Sequence, residues 1–200
     1  MQDSSKVDLE LWVMSKIFKI IFYSIYFFTY SHVMANEEAK YDIVKSNNTY
    51  EIRKYTDRLA IQVVSTNGNN GFRKLFNYIS GNNEKNQKIK MTVPVTVMEK
   101  SGNMTMQFYL PSKFDKKNIP NPTGSDVEVI NIEGGYYAVI RYSGRASENN
   151  FIKHKNILED ELSKDNIAIK SPAIKATYNS PFTLPLMRRN EAMFKVEYKY

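Results

Sequence analysis

Two segments of the sequence share one pattern, and this correspondence constrains the fold more than any other feature. The first, LAIQVVSTNGNNGFRKLFNYI, begins at Leu59, and the second, YAVIRYSGRASENNFIKHKNIL, begins at Tyr137. Each reads as an alternating strand, a turn rich in glycine, serine and asparagine, and then a helix. Further along, MTVPVTV is matched by NSPFTLP and MQFYLP by AMFKVEY, with about 80 residues between partners. The pattern predicts two copies of a strand–helix–strand–strand unit.

The predicted strands outnumber the predicted helices, and this indicates the fold class. Seven segments alternate or are rich in β-branched and aromatic residues: YEIRKY, LAIQVV, KMTVPVTV, MQFYLP, VEVINI, YYAVIRY and FKVEY. Only two long helices are available as crossovers, whereas a doubly wound parallel sheet needs a helix after most of its strands. We therefore predict an α+β fold, in which a mainly antiparallel, twisted sheet curves into a barrel and two helices pack on the sheet.

The first predicted helix has the clearest periodicity in the chain. Its apolar residues follow at i, i+3, i+4 and i+7, on one helix face: Phe72, Leu75, Phe76 and Ile79. Asn69 or Asn70 can cap the start of this helix, and Gly81 can end it in a left-handed turn. Such a stripe usually belongs to a protein core, and an exposed apolar wall is the alternative interpretation.

The amino-terminal part of the sequence reads as a targeting segment. From Met14 the chain is MSKIFKIIFYSIYFFTYSHVMA, with two lysines, an apolar run over residues 20–28 and a small-x-small motif before Asn36. This is the layout of a secretory signal peptide, and the polar stretch before it makes Met14 a candidate start. We expect residues 1–35 to be removed and residues 36–200 to form an exported domain, periplasmic or secreted. An uncleaved membrane anchor is the alternative, although the apolar run is short for a span of ~20 residues.

The composition excludes several classes of chemistry. The 200 residues contain no cysteine and two histidines, of which only His154 follows the targeting segment. Thiolate metal sites and cysteine nucleophiles are excluded, and no HExxH, GxSxG or phosphate-binding glycine motif occurs. We therefore predict a protein that is not an enzyme. The net charge of +7 suits an anionic ligand, and the scattering of the lysines over loops argues against nucleic acid as a partner.

A stiff apolar loop precedes the last predicted strand. In the stretch YNSPFTLPLMRRNE the prolines at positions 181 and 185 lack amide donors, which excludes a central strand or a helix interior. The loop is therefore expected to display its large apolar residues: Phe182, Leu184, Leu186 and Met187. It ends in Arg188 and Arg189, which can either meet an anion or anchor the loop, through Glu191 or through backbone carbonyls.

Three collinear motifs resemble the SOUL haem-binding protein family: GFRKLFNYISGNNEKNQKIKMTVPV, FYLPSKF and SPFTLPLMRRNE. The resemblance extends from about Tyr41 to Tyr198 and implies a distorted antiparallel barrel of two αβ halves. It also implies that haem or another tetrapyrrole binds, without covalent attachment, in an open apolar cleft between the first helix and the proline loop. Carried over to this chain, the helix side of that cleft is Phe72, Leu75, Phe76 and Ile79, and the loop side is Leu184, Leu186, Met187 and Arg188.

The resemblance leaves the identity of the ligand open. The same cleft would suit another planar hydrophobic or lipid-like molecule, so a carrier or sensor of such a molecule is the alternative. We expect no obligate axial ligand and no metal site, because His154 on the second helix is expected to be structural and Met187 to fill the cleft wall. The mature chain is expected to be a monomer that contacts a membrane only through its leader.

Overall fold

The computed structural model describes residues 12, 14–19, 36–66 and 70–199, and the chain forms two units, residues 1–35 and 36–200. In the first unit the described residues are helical and exposed, and the Lys16 ammonium lies 4.0 Å from the centre of the Trp12 ring. The predicted apolar run and cleavage position lie outside the described residues, so both stay predictions. No described helix is long and apolar enough to cross a bilayer.

The second unit consists mainly of strands. In chain order they are β1 (Glu37–Glu38), β2 (Tyr41–Ser46), β3 (Glu51–Tyr55), β4 (Arg58–Ser65), β5 (Thr92–Val93), β6 (Val95–Lys100), β7 (Asn103–Tyr109), β8 (Glu128–Ile132), β9 (Gly135–Tyr142), β10 (Ala168–Ile169), β11 (Ile174–Thr177) and β12 (Asn190–Glu197). The helices are α1 (Gly71–Ile79) and α2 (Glu148–Lys164), and a short 3-10 turn covers Pro185–Met187. Each of the seven strand segments predicted from the sequence contains a strand.

Ten of these strands form one antiparallel sheet. Their order is β2-β3-β9-β12-β11-β6-β7-β4-β8, and β10 pairs with β12 beside this path. The sheet curls into a half-barrel whose open edges are β2 and β8. The predicted α+β class is therefore confirmed, with a curled sheet that stays open. A separate parallel pair joins β1 to β5, where Glu37 lies opposite Thr92.

The two halves of the sheet have the same internal order. In one half β4, β7 and β6 are neighbours, and in the other β9, β12 and β11 are neighbours. The halves meet where β6 pairs with β11, with Val95 opposite Thr177 and Met98 opposite Ile174. Each helix follows the outer strand of its half, α1 after β4 and α2 after β9. The connectivity agrees with the predicted strand–helix–strand–strand units, while their origin as an internal repeat stays a prediction.

Strand register places both helices on the same face of the sheet. Residues directly opposite one another share a face. On the helix side this rule links, strand by strand, Ala192, Lys175, Val97, Met106 and Val63. On the other side it links Glu191, Ala176, Thr96, Gln107 and Gln62. The helix face is therefore mainly apolar, and the middle of the opposite face is polar.

Each helix buries one side against its own half of the sheet. The buried residues of α1 are Leu75, Tyr78 and Ile79, which pack with Ile61 and Phe108. The buried residues of α2 are Phe151, Leu158 and Leu162, which pack with Ile140 and Phe194. A third buried cluster, on the opposite face, contains Tyr55, Tyr137, Val139, Ile174, Ala176 and Met193. The half-barrel thus has apolar clusters on both of its faces.

The ends of the helices differ in how they are capped. Asn70 precedes α1 with a φ of 65°, and its side chain forms no capping hydrogen bond, so the predicted cap is not formed by Asn70. Asn69, the other predicted cap, lies outside the described residues. Gly81 has a φ of 116°, which confirms the predicted left-handed turn after α1. The second helix has a side-chain cap, because the Asn150 amide donates to the Ser147 hydroxyl at 3.3 Å.

We predict that Gly134→Ala destabilises the fold, because Gly134 lies directly against the chain at the end of β3. A Cβ at this position would lie 2.5 Å from the carbonyl oxygen of Tyr55 and 2.9 Å from the carbonyl carbon of Thr56. Relief of such a clash needs a backbone shift, which costs about 1–3 kcal/mol. Urea unfolding at equilibrium measures the change.

Gly124→Ala is the matched control, because a Cβ at Gly124 would have no atom within 4 Å. This variant should unfold at the same urea concentration as the native chain, or slightly above it. Equal midpoints for the two variants would contradict the close approach at Gly134.

Candidate ligand-binding surface

The loop between β11 and β12 exposes a cluster of large apolar side chains. The exposed fractions are 95% for Phe182, 67% for Leu184, 88% for Leu186 and 73% for Met187. Leucine, phenylalanine and methionine are usually buried, and an exposed apolar cluster commonly marks a binding surface. The structure therefore places these loop residues as the sequence predicted, on the outside of the protein.

The backbone of this loop is held by hydrogen bonds from its own residues and from the turn after β9. Arg188 donates through Nε to the Thr183 carbonyl at 2.8 Å and through Nη2 to the Pro181 carbonyl. The Gly144 amide donates to the Pro185 carbonyl at 2.8 Å. Gly144 has a φ of 98°, a conformation that favours glycine. The apolar side chains thus project from a backbone with a fixed conformation.

Arg189 fastens the end of the loop to a buried group of charges. Its guanidinium donates to both carboxylate oxygens of Glu38, at 2.7 and 2.9 Å, and to Glu191 at 2.9 Å. The side chain of Glu191 is fully buried and also accepts from Arg53 at 3.0 Å and from the Tyr178 hydroxyl at 2.7 Å. Of the two roles that the sequence left open for the arginine pair, the structure assigns the anchoring role to both residues.

Burial and the charge of Glu191 change the pKa values of the groups around it. Burial, and then the negative charge of Glu191, raise the pKa of Tyr178 well above its ordinary value of 10.0, so the hydroxyl remains a hydrogen-bond donor. Burial alone would lower the pKa of Arg53, but the adjacent Glu191 carboxylate outweighs it and raises that pKa. Tyr178 and Arg53 therefore both keep their protons at neutral pH and donate to the Glu191 carboxylate.

The four predicted residues of α1 divide into an exposed pair and a buried pair. Phe72 and Phe76 are about half exposed, at 50% and 48%, and their rings stack with centroids 6.0 Å apart and planes 12° apart. Leu75 and Ile79 are buried in the core between α1 and the sheet. The prediction that all four face the cleft is therefore corrected for Leu75 and Ile79, because the sheet side of the helix takes them into the core.

A cavity of about 530 Å³ lies beside the proline loop. Its lining consists of the loop and the turn before α2: Pro181, Phe182, Thr183, Leu184, Pro185 and Arg188, with Arg145, Ala146 and Ser147. No residue of α1 lines this cavity. The exposed faces of α1 and of the loop are each open to solvent. That α1 and the loop enclose one cleft stays a prediction.

His154 takes part in a local contact within α2. Its Nδ1 atom lies 2.8 Å from the Asn150 carbonyl oxygen, and its ring stacks on Tyr142 with centroids 4.1 Å apart. This environment agrees with the structural role that the sequence analysis favoured. Over residues 36–66 and 70–199, no group of three or more histidine and carboxylate side chains is placed to hold a metal ion.

Comparison with known proteins identifies the family of this chain. The family model described as "SOUL heme-binding protein" matches residues 36–195. The chain belongs to the SOUL family. Heme-binding protein 2 of Mus musculus is 32% identical over 175 residues, which cover 79% of this chain and 83% of the mouse protein. Heme-binding protein 2 of Homo sapiens is 35% identical over 131 residues, which cover 60% of this chain and 62% of the human protein.

The fold of this SOUL protein is also found in a distant solved structure. A hydrolase from Listeria innocua superimposes with a TM-score of 0.54 at 9% sequence identity, over 77% of this chain and 94% of the Listeria protein. At this identity the likeness concerns the fold alone.

Sequence reasoning named Glu191 as a possible partner of the arginine pair, but it missed Arg53 and Glu38. Arg53 and Glu191 are separated by 138 positions, and neither was predicted to lie in a core. One signal was present, because Arg53 is in phase with the buried Tyr55 on the same side of β3. A charged residue in phase with the inward side of a strand indicates a buried charge that needs a partner elsewhere in the chain.

We predict that Glu191→Gln destabilises the SOUL domain by about 3 kcal/mol, because it leaves the buried guanidinium of Arg53 and the partly buried guanidinium of Arg189 facing a neutral amide. Glu197→Gln is the matched control, since Glu197 pairs with Lys170 at 2.6 Å and both side chains are about half exposed. The control should have little effect, because exposed ion pairs contribute little. Urea unfolding measures both changes, and equal stability of the two variants would contradict the structural role of Glu191.

Proposed function

We propose that this chain is an exported, monomeric protein that binds haem or a related tetrapyrrole without covalent attachment. One observation carries the proposal: a proline-stiffened loop exposes four large apolar side chains on a hydrogen-bonded backbone, in a member of the SOUL family. The mouse and human relatives are named heme-binding proteins. The site is proposed at the loop and its adjoining cavity, with the exposed rings of Phe72 and Phe76 as the second apolar surface.

The physical argument is one of preorganisation. A macrocycle has two flat apolar faces, and each Leu, Phe or Met side chain that it covers contributes about 1.5–3 kcal/mol of burial. Two prolines and the internal bonds of Arg188 have already restricted the loop, so less conformational entropy is lost when a ligand binds. Stacking on Phe72 and Phe76 would add aromatic contacts to the opposite face of the ring.

The propionates of a tetrapyrrole need cations at the edge of the site. Arg188 already donates to two carbonyls of its own loop. Arg145 lies across the same cavity and is exposed, so its guanidinium is the better candidate for a carboxylate contact. The chain itself would thus supply apolar contact and charge, and the iron would need no protein ligand.

We predict that Leu186→Asp lowers the affinity for haemin about tenfold or more, because it places a charge on the apolar surface that the macrocycle would cover. Its folding stability should not change, since Leu186 is 88% exposed. Absorbance titration with haemin, and fluorescence titration with iron-free protoporphyrin, measure the affinity and test the need for iron.

Ile43→Asp is the matched control, because Ile43 is 54% exposed on the edge strand β2. This variant should bind haemin like the native chain. Phe76→Asp tests the helix half of the site in the same assay. Equal affinity of Leu186→Asp and the native chain would exclude the loop, and a native chain that binds neither porphyrin would exclude the function.

The proposed export has its own test. Expression of the full chain in a secreting host should yield a product whose first residue is Asn36, as the small-x-small motif predicts. Amino-terminal sequencing of the exported protein identifies that residue. A full-length product retained in the membrane fraction would instead establish the anchor alternative.

A further inference from the structure

A second cavity, distinct from the proline loop, lies at the end of the sheet where β4 begins and β7 ends. Its volume is about 620 Å³, which is in the usual range for small-molecule sites. No residue of α1 or of the proline loop lines it. The cavity is therefore separate from the surface proposed for the tetrapyrrole.

One wall of this cavity is apolar and another is the segment before β2. The apolar wall consists of Leu59, Leu110, Pro111 and Phe114. The facing segment, residues 37–40, is held by the pairing of β1 with β5 and by the Ser112 amide, which donates to Glu37 at 2.7 Å. Both walls are thus fixed by backbone contacts to the rest of the domain.

Arg58 forms the polar end of the cavity, and its guanidinium is stacked on aromatic rings. The Cζ atom lies 4.2 Å from the centre of the Tyr55 ring and 4.5 Å from the centre of the Tyr109 ring. Its Nε atom is buried and has no hydrogen-bond partner among the described residues. Arg58 also shares a side-chain hydrogen bond with Tyr137. Stacking covers the faces of the guanidinium, and the remaining N–H groups at its edge can meet an acceptor in the same plane.

The acidic residues that line the cavity are already engaged elsewhere. Glu38 is bound by Arg189, Asp57 accepts from the Gly134 amide at 2.8 Å, and Asp115 accepts from the Asn118 amide at 2.9 Å. Glu37 accepts from Ser112. In contrast, Arg58 forms no ion pair with any carboxylate in the described part of the chain. The cavity therefore contains a fixed cation that has no acidic partner.

We propose that this cavity binds a small monocarboxylic acid with an apolar body, and that Arg58 is its anion contact. The guanidinium edge matches a carboxylate, and the wall of leucine, proline and phenylalanine matches an aliphatic or aromatic body. The lining has four acidic side chains (Glu37, Glu38, Asp57 and Asp115) and three basic ones (Lys40, Arg58 and Lys116), a balance that favours a monoanion over a dianion such as a phosphate monoester. This activity is additional to tetrapyrrole binding and does not depend on it.

Three probes of one shape test the charge preference: para-trifluoromethylbenzoate, the corresponding benzamide and the corresponding benzylamine. Fluorine NMR titration of the full chain measures the affinity for each probe. We expect the acid to bind about tenfold or more tightly than the neutral amide, and the amine to bind weakest, because a hydrogen bond to a charged group contributes more than a neutral one.

Variants assign the preference to Arg58. Arg58→Gln should lower the affinity for the acid to that for the amide, while the affinity for the amide stays unchanged. Arg73→Gln is the matched control, because Arg73 is an exposed arginine on α1 outside the cavity. Ser112→Trp, at the exposed rim, should weaken binding of the acid and the amide alike. Haemin titration of Arg58→Gln should match that of the native chain.

If Arg58→Gln fails to fold, Arg58→Lys serves in its place. Lysine keeps the positive charge but lacks the paired N–H donors of the guanidinium and most of its stacking on the tyrosine rings. Arg58→Lys should reduce the affinity for the acid several-fold. Equal affinity of the native chain for acid and amide would overturn the proposal, as would tighter binding of the amine. Unchanged acid binding in a folded Arg58→Gln variant would exclude Arg58 as the contact, and with it the proposal.

Discussion

The hydrogen bonds and ion pairs of the buried Glu191 carboxylate are the interactions on which the position of the proline loop depends. The carboxylate lies at the start of β12 with no solvent contact and accepts from Arg53 on β3, from Arg189 at the end of the proline loop and from Tyr178 at its beginning. Removing charges from water is costly, so such a group is stable only when every partner is in place. Both ends of the apolar loop are therefore bonded to the same buried carboxylate, which fixes where the exposed residues of the loop lie.

The curled sheet separates two kinds of surface. Both helices cover one face, and the buried ion cluster and the cavity near Arg58 belong to the other face and to the end of the sheet. Successive side chains along a strand point to opposite faces, and directly opposite residues on neighbouring strands share a face. The sequence of each strand therefore determines the composition of both faces of the sheet. The two proposed sites draw on different residues, because the linings of the two cavities do not overlap.

The parts of the structure that depend on local pattern could be predicted from the sequence. Alternation marked the strands, and the two prolines marked a loop that cannot bury its backbone. What could not be predicted depends on distant neighbours. The periodicity of α1 does not indicate which members of its stripe face the sheet, so Leu75 and Ile79 were placed with Phe72 and Phe76. Glu191 and backbone carbonyls could be named as acceptors for Arg188 and Arg189, but which arginine meets which acceptor follows only from the folded chain. The stacking of Arg58 likewise required two tyrosines from other strands.

The contact between Glu38 and Arg189 has a consequence for where the second unit, residues 36–200, can be shortened. Glu38 lies only two positions after Asn36, yet it supplies both oxygens that face a half-buried guanidinium at the far end of the chain. An exopeptidase that trimmed the domain past this residue would strip a counter-charge from the loop anchor and also remove β1 from its partner. Protein that keeps Glu38 and protein trimmed past it should therefore differ in the mobility of the apolar loop.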